Sequence, residues 1–285
     1  MSRRRPRAGL ALRGARVLIT GGGSGIGRLM ALEAARRGAA EVILWDLSEE
    51  RASAVAGEIG RSGGSASTAV VDVSDRTAVA EAAERTGAID VLINNAGIVT
   101  GADLLDAADE QIRRTFDVNT LALYWTTRAF LPAMRDRDRG VVVTIGSAAG
   151  LLGIARQTDY SASKFAAFGF TESLRNELRA RGSRVSTLIV APYYIDTGMF
   201  AGVTTRFPRL LPILHEQEVT LRILDAIEAG EEQLIMPRTA RFMPGARILP
   251  VRAFDRVMDF FGVIRSMDDF VGRRGPDDGG APRRG

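Results

Sequence analysis

The 285-residue chain contains no cysteine and a single histidine. The absence of cysteine excludes disulfides, thiolate metal sites and a cysteine nucleophile. It is consistent with a reducing compartment, and we expect a cytoplasmic location. Because His215 is the only histidine, a metal site with several histidine ligands is excluded, and a Ser-His-Asp triad is not expected either. We therefore expect no metal site.

Long apolar runs are also missing from the sequence. No segment approaches the roughly 20 apolar residues that a membrane-spanning helix needs. Residues 1–16 hold six arginines and no acid, which accounts for the formal net charge of +4. We expect residues 1–13 to form a disordered basic arm, with contact to an anionic membrane surface as the alternative. No nucleic-acid partner is expected, because the arm has no aromatic residue.

Short apolar runs alternate with amphipathic segments between residues 16 and 237. This alternation predicts parallel strands whose connecting helices cover both faces of a sheet. With right-handed crossovers it gives an α/β Rossmann fold, a doubly wound sheet of about seven strands. We interpret residues 14–272 as one domain with a helical extension from about residue 241, and residues 273–285 as a disordered tail. The extension is expected to pack on the domain, with membrane contact as the alternative.

A glycine-rich turn, TGGGSGIG at residues 20–27, joins the first apolar run to the first helix. Glycines let the backbone approach a pyrophosphate, and the N-terminus of the following helix stabilises its negative charge. Gly27 would let the helix pack closely on the strand. The turn predicts a dinucleotide site because it lies between a strand and a helix. The predicted contacts from the turn are Gly21, Gly23, Ser24, Gly25, Ile26 and Gly27.

Asp46 ends the second predicted strand, where a carboxylate can accept hydrogen bonds from the adenosine ribose. A carboxylate there repels the additional phosphate of NADP, so NAD is favoured. Arg28 and Arg51 are near enough in sequence to keep NADP as the alternative. Asp72, predicted to end the third strand, either contacts the adenine or serves only as a turn residue.

Tyr160 and Lys164 are four residues apart in a predicted helix and therefore share a helix face. The ammonium group is expected to lower the pKa of the phenol, so that Tyr160 can act as a base. Ser147 ends the fifth predicted strand, so all three side chains should meet at the carboxyl edge of the sheet. Lys164 is also the only lysine among 38 basic residues. Its retention indicates that this position needs a compact cation that can release a proton.

Together these motifs resemble the short-chain dehydrogenase/reductase family over residues 14–240. The resemblance rests on the glycine turn, Asp72, Ser147, Asn119, NNAG (94–97), YSASK (160–164) and the segment from Pro192 to Thr197. The sequence is more similar still to the branch of retinol and 17β-hydroxysteroid dehydrogenases. The motifs of that branch are ILWDLS (43–48), SKFAAFGFTESLRNEL (163–178), DTGMF (196–200) and the segment 254–273.

The resemblance implies a role for each matching residue. Tyr160 would be the general acid/base, and Lys164 would lower its pKa and hold the nicotinamide ribose. Ser147 would hydrogen-bond the substrate oxygen, and Asn119 would hold a water that links Lys164 to solvent. Asn94 would also brace the sheet. Further residues implied to line the dinucleotide are Val73, Asn94, Ala96, Gly97, Pro192, Ile195 and Thr197.

An apolar segment follows the sixth predicted strand and would cover the substrate. Ser147 and Tyr160 are expected to bind the substrate together with Leu152, Tyr193, Met199 and Phe200. Such a pocket suits a retinoid, a steroid or a long-chain alcohol, although packing of this lid on the core would explain about half of its apolar residues. We therefore expect an NAD(P)-dependent oxidoreductase that interconverts an apolar alcohol and its carbonyl. The alternatives are a catalytically silent dinucleotide sensor or scaffold, and an extended-type epimerase or dehydratase.

The sequence departs from the family pattern at two places. Pro192-Tyr193 stands where the family usually has Pro-Gly, which we interpret as a difference in pocket shape. The arginine arm stands where many members of the branch have a hydrophobic anchor, so we expect at most peripheral membrane contact. Because the family assembles through the helices predicted at 109–134 and 159–180, a homodimer or homotetramer is expected.

Overall fold

The computed structural model describes residues 9–272 and is built on one parallel sheet. Its strands are β1 (Arg16–Thr20), β2 (Glu41–Asp46), β3 (Ala66–Val70), β4 (Val91–Asn94), β5 (Val141–Ile145), β6 (Ser186–Pro192) and β7 (Gln233–Met236). They lie in the order β3-β2-β1-β4-β5-β6-β7. The chain reverses its direction of travel across the sheet between β1 and β4, which leaves a crevice at their carboxyl ends. The predicted doubly wound Rossmann sheet is confirmed.

Helices cover both faces of this sheet. They are α1 (Gly25–Arg36), α2 (Glu49–Arg61), α3 (Arg76–Thr86), α4 (Asp109–Phe116), α5 (Ala122–Asp136), α6 (Thr158–Ala180) and α7 (Glu216–Ala229). α1 packs against α2 and α7, and α3 packs against α5. Ser48 caps α2 by accepting a hydrogen bond from the Arg51 N–H, as its position before a helix predicted. This packing holds the carboxyl ends of the strands at one edge, where the crevice opens.

Two element boundaries differ from the sequence prediction. The third strand ends at Val70 and not at Asp72, so Asp72 lies in the following turn. The single helix predicted over 109–134 is divided by a π-helical turn, Asp117–Leu121, between α4 and α5. An apolar repeat continues through a π-helical turn, so the sequence alone does not reveal it. The turn contains Asn119, which lies beside the crevice.

The segment 9–13 is packed on the domain and is not part of a disordered arm. Leu10 and Leu12 are both buried. The Leu10 N–H donates to the Ile227 carbonyl (3.3 Å), and the Leu12 N–H donates to Glu228 Oε1 (3.1 Å). Their alternate spacing puts both leucines on one side of an extended segment. The rest of the predicted arm and the whole predicted tail lie outside the described residues.

The chain after β7 forms a 3-10 turn (Arg238–Phe242), α8 (Met243–Ala246) and α9 (Val251–Phe260), where the sequence predicted one amphipathic stretch from about residue 241. α9 begins after Pro250, and proline disfavours helical geometry in the residue before it. Met258 and Met267 are buried against the domain. Within residues 9–272, no helix is both long enough and apolar enough to cross a bilayer.

Candidate active site

The glycine-rich turn between β1 and α1 depends on close backbone packing. Gly21 and Gly25 have φ values of +64° and +52°, which other residues rarely adopt. A Cβ atom on Gly27 would lie 2.2 Å from the Gly21 carbonyl oxygen. Gly27 therefore lets α1 begin directly against the turn, in agreement with the sequence analysis.

The N-terminus of α1 offers donors for an anion. Ser24, its N-cap, forms no side-chain cap, and the first turn contains no acidic residue. The N–H groups of this turn and the helix dipole can therefore bind a phosphate group. The residues of the turn that line the cleft are Gly21, Ser24, Gly25, Ile26 and Gly27. The turn fits the pyrophosphate of a dinucleotide.

Asp46 closes the turn from the end of β2. Its Oδ2 atom accepts a hydrogen bond from the Gly23 N–H (2.9 Å), and its Oδ1 atom accepts one from the Ser48 N–H (3.0 Å). The Arg51 guanidinium lies 3.2 Å from Oδ1. A carboxylate has about four lone-pair positions, so these contacts leave capacity for ribose hydroxyls. Neither Gly23 nor Asp46 is among the residues that line the cleft itself.

The two asparagines at the end of β4, Asn94 and Asn95, face different ways. Asn94 is buried, and its Oδ1 accepts a hydrogen bond from Thr126 Oγ1 (2.7 Å), so it braces β4 against α5 outside the cleft. Asn95 lines the cleft, and its Nδ2 donates to the carbonyl oxygens of Thr20 (2.9 Å) and Gly21 (3.2 Å). The predicted bracing role of Asn94 agrees with this contact, but Asn94 was also predicted to line the dinucleotide, and the residue that lines the cleft is Asn95, which was not singled out. Adjacent side chains point to opposite faces of a strand. Because the sequence pattern did not show where β4 ends, it did not show which asparagine faces the cleft.

Asp72 and Val73 lie beyond the lining of the cleft. Asp72 accepts hydrogen bonds from the Ser74 N–H (2.9 Å) and hydroxyl (2.6 Å), and the Arg114 guanidinium lies 3.0 Å away. Burial works to raise the pKa of Asp72, but these hydrogen bonds hold it below its usual value. Val73 packs in a small apolar cluster with Val118. The sequence left two roles open for Asp72, contact with the adenine or service as a turn residue. These hydrogen bonds show the role in the turn.

Ser147, Tyr160 and Lys164 line the same cleft as the glycine turn. Ser147 Oγ accepts a hydrogen bond from the Ala149 N–H (3.1 Å), and the Ser147 side chain is close enough to the Tyr160 phenol to work against the rise of its pKa. Lys164 Nζ donates to the Ile145 carbonyl oxygen (3.0 Å) and lies 5.5 Å from the centre of the Tyr160 ring. The empty volume of the cleft is about 790 Å³, open solvent included. The three predicted catalytic side chains therefore meet beside the predicted dinucleotide turn.

Burial shifts both titrating groups, and for Tyr160 the direction is opposite to the prediction. Burial raises the pKa of Tyr160 well above its usual value, and the neighbouring Ser147 side chain offsets only part of this effect. Burial lowers the pKa of Lys164 to about 8. The Lys164 ammonium group is directed to the Ile145 carbonyl and faces the tyrosine ring, so it does not offset the burial of the phenol. At neutral pH the phenol is held in its protonated form.

Asn119 holds the loop after β4 against the lysine. Its Nδ2 donates to the Ile98 carbonyl (2.9 Å) and to Ser163 Oγ (3.0 Å), and its Oδ1 accepts from the Ile98 N–H (2.9 Å). A Cβ atom on Gly97 would lie 3.3 Å from Asn119 Oδ1 and 3.5 Å from Lys164 Nζ. The Asn119 amide is therefore fully used in positioning this loop. Ala96 and Gly97 line the cleft, as predicted from the sequence motif.

Asp159, which sequence analysis did not single out, fixes the start of α6. Its buried carboxylate accepts hydrogen bonds from Thr100 Oγ1 (2.6 Å) and Thr115 Oγ1 (2.8 Å). Asp159 is the residue before Tyr160. Through these contacts it connects the start of α6 to the loop after β4 and to α4. The only sequence signal was an acidic residue in the first turn of a helix, which by itself indicates just a favourable helix dipole.

The far wall of the cleft is formed after β6. Pro192, Ile195 and Thr197 line the cleft, and their contact with the dinucleotide stays a prediction. Phe200 packs edge-on against Tyr160, with ring centres 5.9 Å apart. Of the predicted substrate contacts, those that line the cleft are Ser147, Tyr160, Tyr193, Met199 and Phe200. This wall is apolar except for its tyrosine hydroxyls.

Leu152 and His215 lie elsewhere. Leu152 is fully buried in the core and does not line the cleft, because the turn after Ser147 directs it inward. His215 is the exposed N-cap residue of α7 and pairs with Asp196 (2.9 Å). Among the described residues, histidine, aspartate and glutamate side chains form no cluster that could hold a metal ion.

The buried lysine predicts a pH dependence of stability. In the folded protein the pKa of Lys164 is about 8, whereas in the unfolded chain it is about 10.5. Below pH 8 the folded protein holds a buried charge at a cost in stability. Between these two pKa values the folded protein has released this proton and the unfolded chain still keeps it. Stability should therefore rise between these values. Replacement by methionine (Lys164→Met) removes this effect, so the difference in unfolding free energy between variant and wild type should change by about 2 kcal/mol between pH 8 and 10. Urea denaturation across this range measures it, and a constant difference would contradict the assignment.

Solved structures share the fold. A short chain dehydrogenase/reductase from Burkholderia phymatum in complex with NAD superposes with a TM-score of 0.76 and 24% identity, over 84% of this chain and 94% of that one. A metagenomic short-chain oxidoreductase in complex with NADP superposes with a TM-score of 0.65 and 28% identity, over 79% and 96% of the two chains.

Sequence relatives extend the comparison along most of the chain. The short chain dehydrogenase family profile matches residues 15–206. Epidermal retinol dehydrogenase 2 of Homo sapiens is 42% identical over 95% of this chain and 89% of its own length. Estradiol 17-beta-dehydrogenase 11 of Pongo abelii is 38% identical over 87% and 83% of the two chains. The predicted resemblance is confirmed: the chain belongs to the short-chain dehydrogenase family and is an oxidoreductase of CH–OH groups that uses a nicotinamide dinucleotide.

Proposed function

We propose that the protein interconverts an apolar alcohol and its carbonyl, with Tyr160 as the general acid/base. The observation that carries this proposal is the meeting of Ser147, Tyr160 and Lys164 in one cleft with the glycine turn. The apolar wall around Met199 and Phe200 favours a retinoid, a steroid or a long-chain alcohol. The relatives named for retinol and estradiol support the same substrate class.

The side chains divide the chemistry among them. Ser147 and Tyr160 hold the substrate oxygen between two hydroxyls, which fixes the reacting carbon in the cleft. Tyr160 donates its proton to the carbonyl oxygen during reduction and takes the hydroxyl proton during oxidation. Lys164, with a pKa of about 8, can hold or release a proton close to neutral pH and so returns Tyr160 to its starting state. The dinucleotide, when bound, supplies or accepts the hydride.

The other implied roles belong to the same proposal. Asn119 keeps the lysine side of the cleft in place and provides, through its backbone, a position for the relay water. Pro192, Ile195 and Thr197 would contact the nicotinamide end, and the glycine turn would bind the pyrophosphate. A silent sensor or scaffold is not favoured, because the serine, tyrosine and lysine are all retained in contact with the cleft. An epimerase or dehydratase is not favoured either, because no second substrate domain lies between residues 9 and 272.

Replacement of the proposed acid/base (Tyr160→Phe) should lower kcat/KM by about 10²- to 10⁴-fold, because only the phenolic proton is lost. The assay screens retinol, hydroxysteroids and long-chain alcohols with both dinucleotides. Dinucleotide binding, measured by fluorescence, should remain nearly unchanged. The matched control is Tyr124→Phe on the exposed face of α5, which should retain wild-type activity. Full activity of the Tyr160 variant would refute this mechanism.

We further propose that NAD is the preferred dinucleotide. Asp46 presents a buried carboxylate at the end of β2, where the additional phosphate of NADP would meet a like charge. The half-exposed Arg51 guanidinium is paired with this carboxylate. Arg51 would be free to bind the additional phosphate only if the carboxylate were absent.

Removal of this carboxylate (Asp46→Ser) should therefore shift preference toward NADPH by about tenfold relative to NADH, since like-charge repulsion is replaced by the arginine. Fluorescence titration of both reduced dinucleotides measures the ratio. Substitution of an exposed loop carboxylate, Asp106→Ser, should leave the ratio unchanged. Tighter binding of NADPH than of NADH to the wild type would overturn the preference.

A homodimer or homotetramer is proposed through α5 and α6. Leu121, Tyr124 and Phe165 present exposed apolar surface before or on these helices. Such a surface on two adjacent helices favours burial against a second copy. Light scattering in solution tests this, and a monomeric mass would contradict it.

Peripheral contact with an anionic membrane is proposed through the C-terminal extension. Phe242, Ile248, Val251 and Phe260 are 81%, 90%, 74% and 57% exposed, and we call them the C-terminal apolar surface. Exposed arginines accompany them at positions 241, 252 and 256. Apolar side chains fringed by arginine match the boundary between acyl chains and anionic headgroups.

Loss of two of these side chains (Phe242→Ser with Ile248→Ser) should reduce binding to vesicles of phosphatidylcholine and phosphatidylserine by about tenfold. Co-sedimentation measures the bound fraction. The matched control replaces two exposed leucines elsewhere, Leu104→Ser with Leu105→Ser, which are 59% and 97% exposed. Equal binding by both double variants, or no binding by the wild type, would exclude this surface.

A further inference from the structure

One buried amide is left without hydrogen bonds beside the catalytic tyrosine. Gln157, the N-cap residue of α6, is 0% exposed, and neither its Oε1 nor its Nε2 atom has a partner of normal hydrogen-bond geometry. Buried amides without partners are rare, because an apolar residue of similar size would avoid the cost of removing the amide from water. The amide therefore has capacity left for a polar group that enters beside it.

The local backbone holds this amide in place. The preceding residue, Arg156, has a φ of +61°, which is uncommon for a residue other than glycine. Its guanidinium donates to the carbonyl oxygens of Met267 (3.1 Å) and Asp268 (2.9 Å) in the C-terminal segment. The Gln157 carbonyl accepts from the Ser161 N–H (2.7 Å) in the first turn of α6. The backbone at Gln157 is therefore held on both sides of this residue.

Gln157 lines a small cavity that continues the substrate side of the cleft. The empty volume of this cavity, open solvent included, is about 230 Å³. Four of its walls are shared with the main cleft, namely Ser147, Tyr160, Tyr193 and Phe200. A substrate whose oxygen is held by Ser147 and Tyr160 would therefore extend one of its substituents toward Gln157.

Tyr194 adds a second polar group to this cavity. Its hydroxyl is hydrogen-bonded to Ser266 Oγ (2.8 Å), and its ring packs on Phe200 with centres 5.1 Å apart. Burial raises the pKa of Tyr194 to about 12, while Ser266 and the nearby Gln157 amide work to lower it. The amide and the hydroxyl thus lie side by side in a cavity whose other walls are mainly apolar.

We propose that this cavity is a subsite for a second oxygen of the substrate, and that Gln157 is the specificity-determining residue that binds it. The proposal rests on the proposed function, which places the reacting oxygen at Ser147 and Tyr160. The ligand class is an apolar alcohol or ketone that carries a hydroxyl or carbonyl oxygen on the substituent entering the cavity. The amide can donate to either group and accept from a hydroxyl. A substrate with only hydrocarbon there leaves the amide unpaired and is disfavoured.

The test compares decanol with its vicinal diol and with the diol that has one carbon between the hydroxyls. The variant Gln157→Met keeps the approximate shape of the side chain and removes the amide. The ratio of kcat/KM for the better diol to that for decanol should be about three- to tenfold higher in the wild type than in the variant, the size of one neutral hydrogen bond. The matched control Gln217→Met changes an exposed amide on α7 and should leave the ratio unchanged.

Thermal unfolding separates the subsite from a structural role and from the proposed function. Without substrate, Gln157→Met should raise Tm by about 2–4 °C, because an unpaired amide is removed. With NADH present, the better diol should raise the Tm of the wild type more than decanol does, whether or not turnover occurs. If the wild type oxidises none of the three compounds, the proposed function fails for long-chain alcohols, while this Tm comparison still decides the subsite. Equal Tm shifts by diol and decanol, or a lower Tm in the variant with an unchanged kinetic ratio, would overturn the subsite.

Discussion

The Asn95 side chain joins the two halves of the sheet at the point where they separate. Its amide donates to the carbonyls at the end of β1, and Thr20 Oγ1 accepts from the N–H groups of Asn95 and Ala96 (3.0 Å each). The glycine turn and the loop after β4 are thereby held in one relative position. Asn119 then holds that loop against Lys164, and Lys164 is bonded to the end of β5. The distance between the glycine turn and Tyr160 depends on this series of contacts.

The polar contacts around the site share a physical basis. Parallel strands end at the same edge, and their last carbonyl groups have no further strand partners there. The side chains of Asn95 and Lys164 satisfy these groups at β1 and β5. The same bonds that complete the sheet therefore also position Asn95 and Lys164 in the cleft. Asp159 extends this arrangement to α4 and fixes the residue before Tyr160.

Much of the fold and of the site could be predicted from the sequence. Strand order follows from alternating apolar runs and crossover handedness, and Ser147, Tyr160 and Lys164 meet because strand ends and helix starts share one edge. Three kinds of detail could not be predicted. Which of Asn94 and Asn95 lines the cleft depends on where β4 ends. The π-helical turn leaves the apolar repeat intact, so the repeat does not reveal it. The packing of Leu10 and Leu12 depends on α7, which is distant in sequence. The pKa direction of Tyr160 was missed because it depends on burial, which residue spacing does not give.

The burial of Lys164 also determines what amine chemistry can report on this protein. Lys164 carries the only side-chain amine in the chain, and it lies within the cleft at the end of β5. A reagent that modifies lysine side chains therefore meets one amine here, where most proteins of this size offer many. Isotope-labelled methyl groups attached to that nitrogen would give a single side-chain resonance, whose shift follows the protonation of the cleft directly. The arginine-rich composition thus makes the reacting centre separately observable without any substitution.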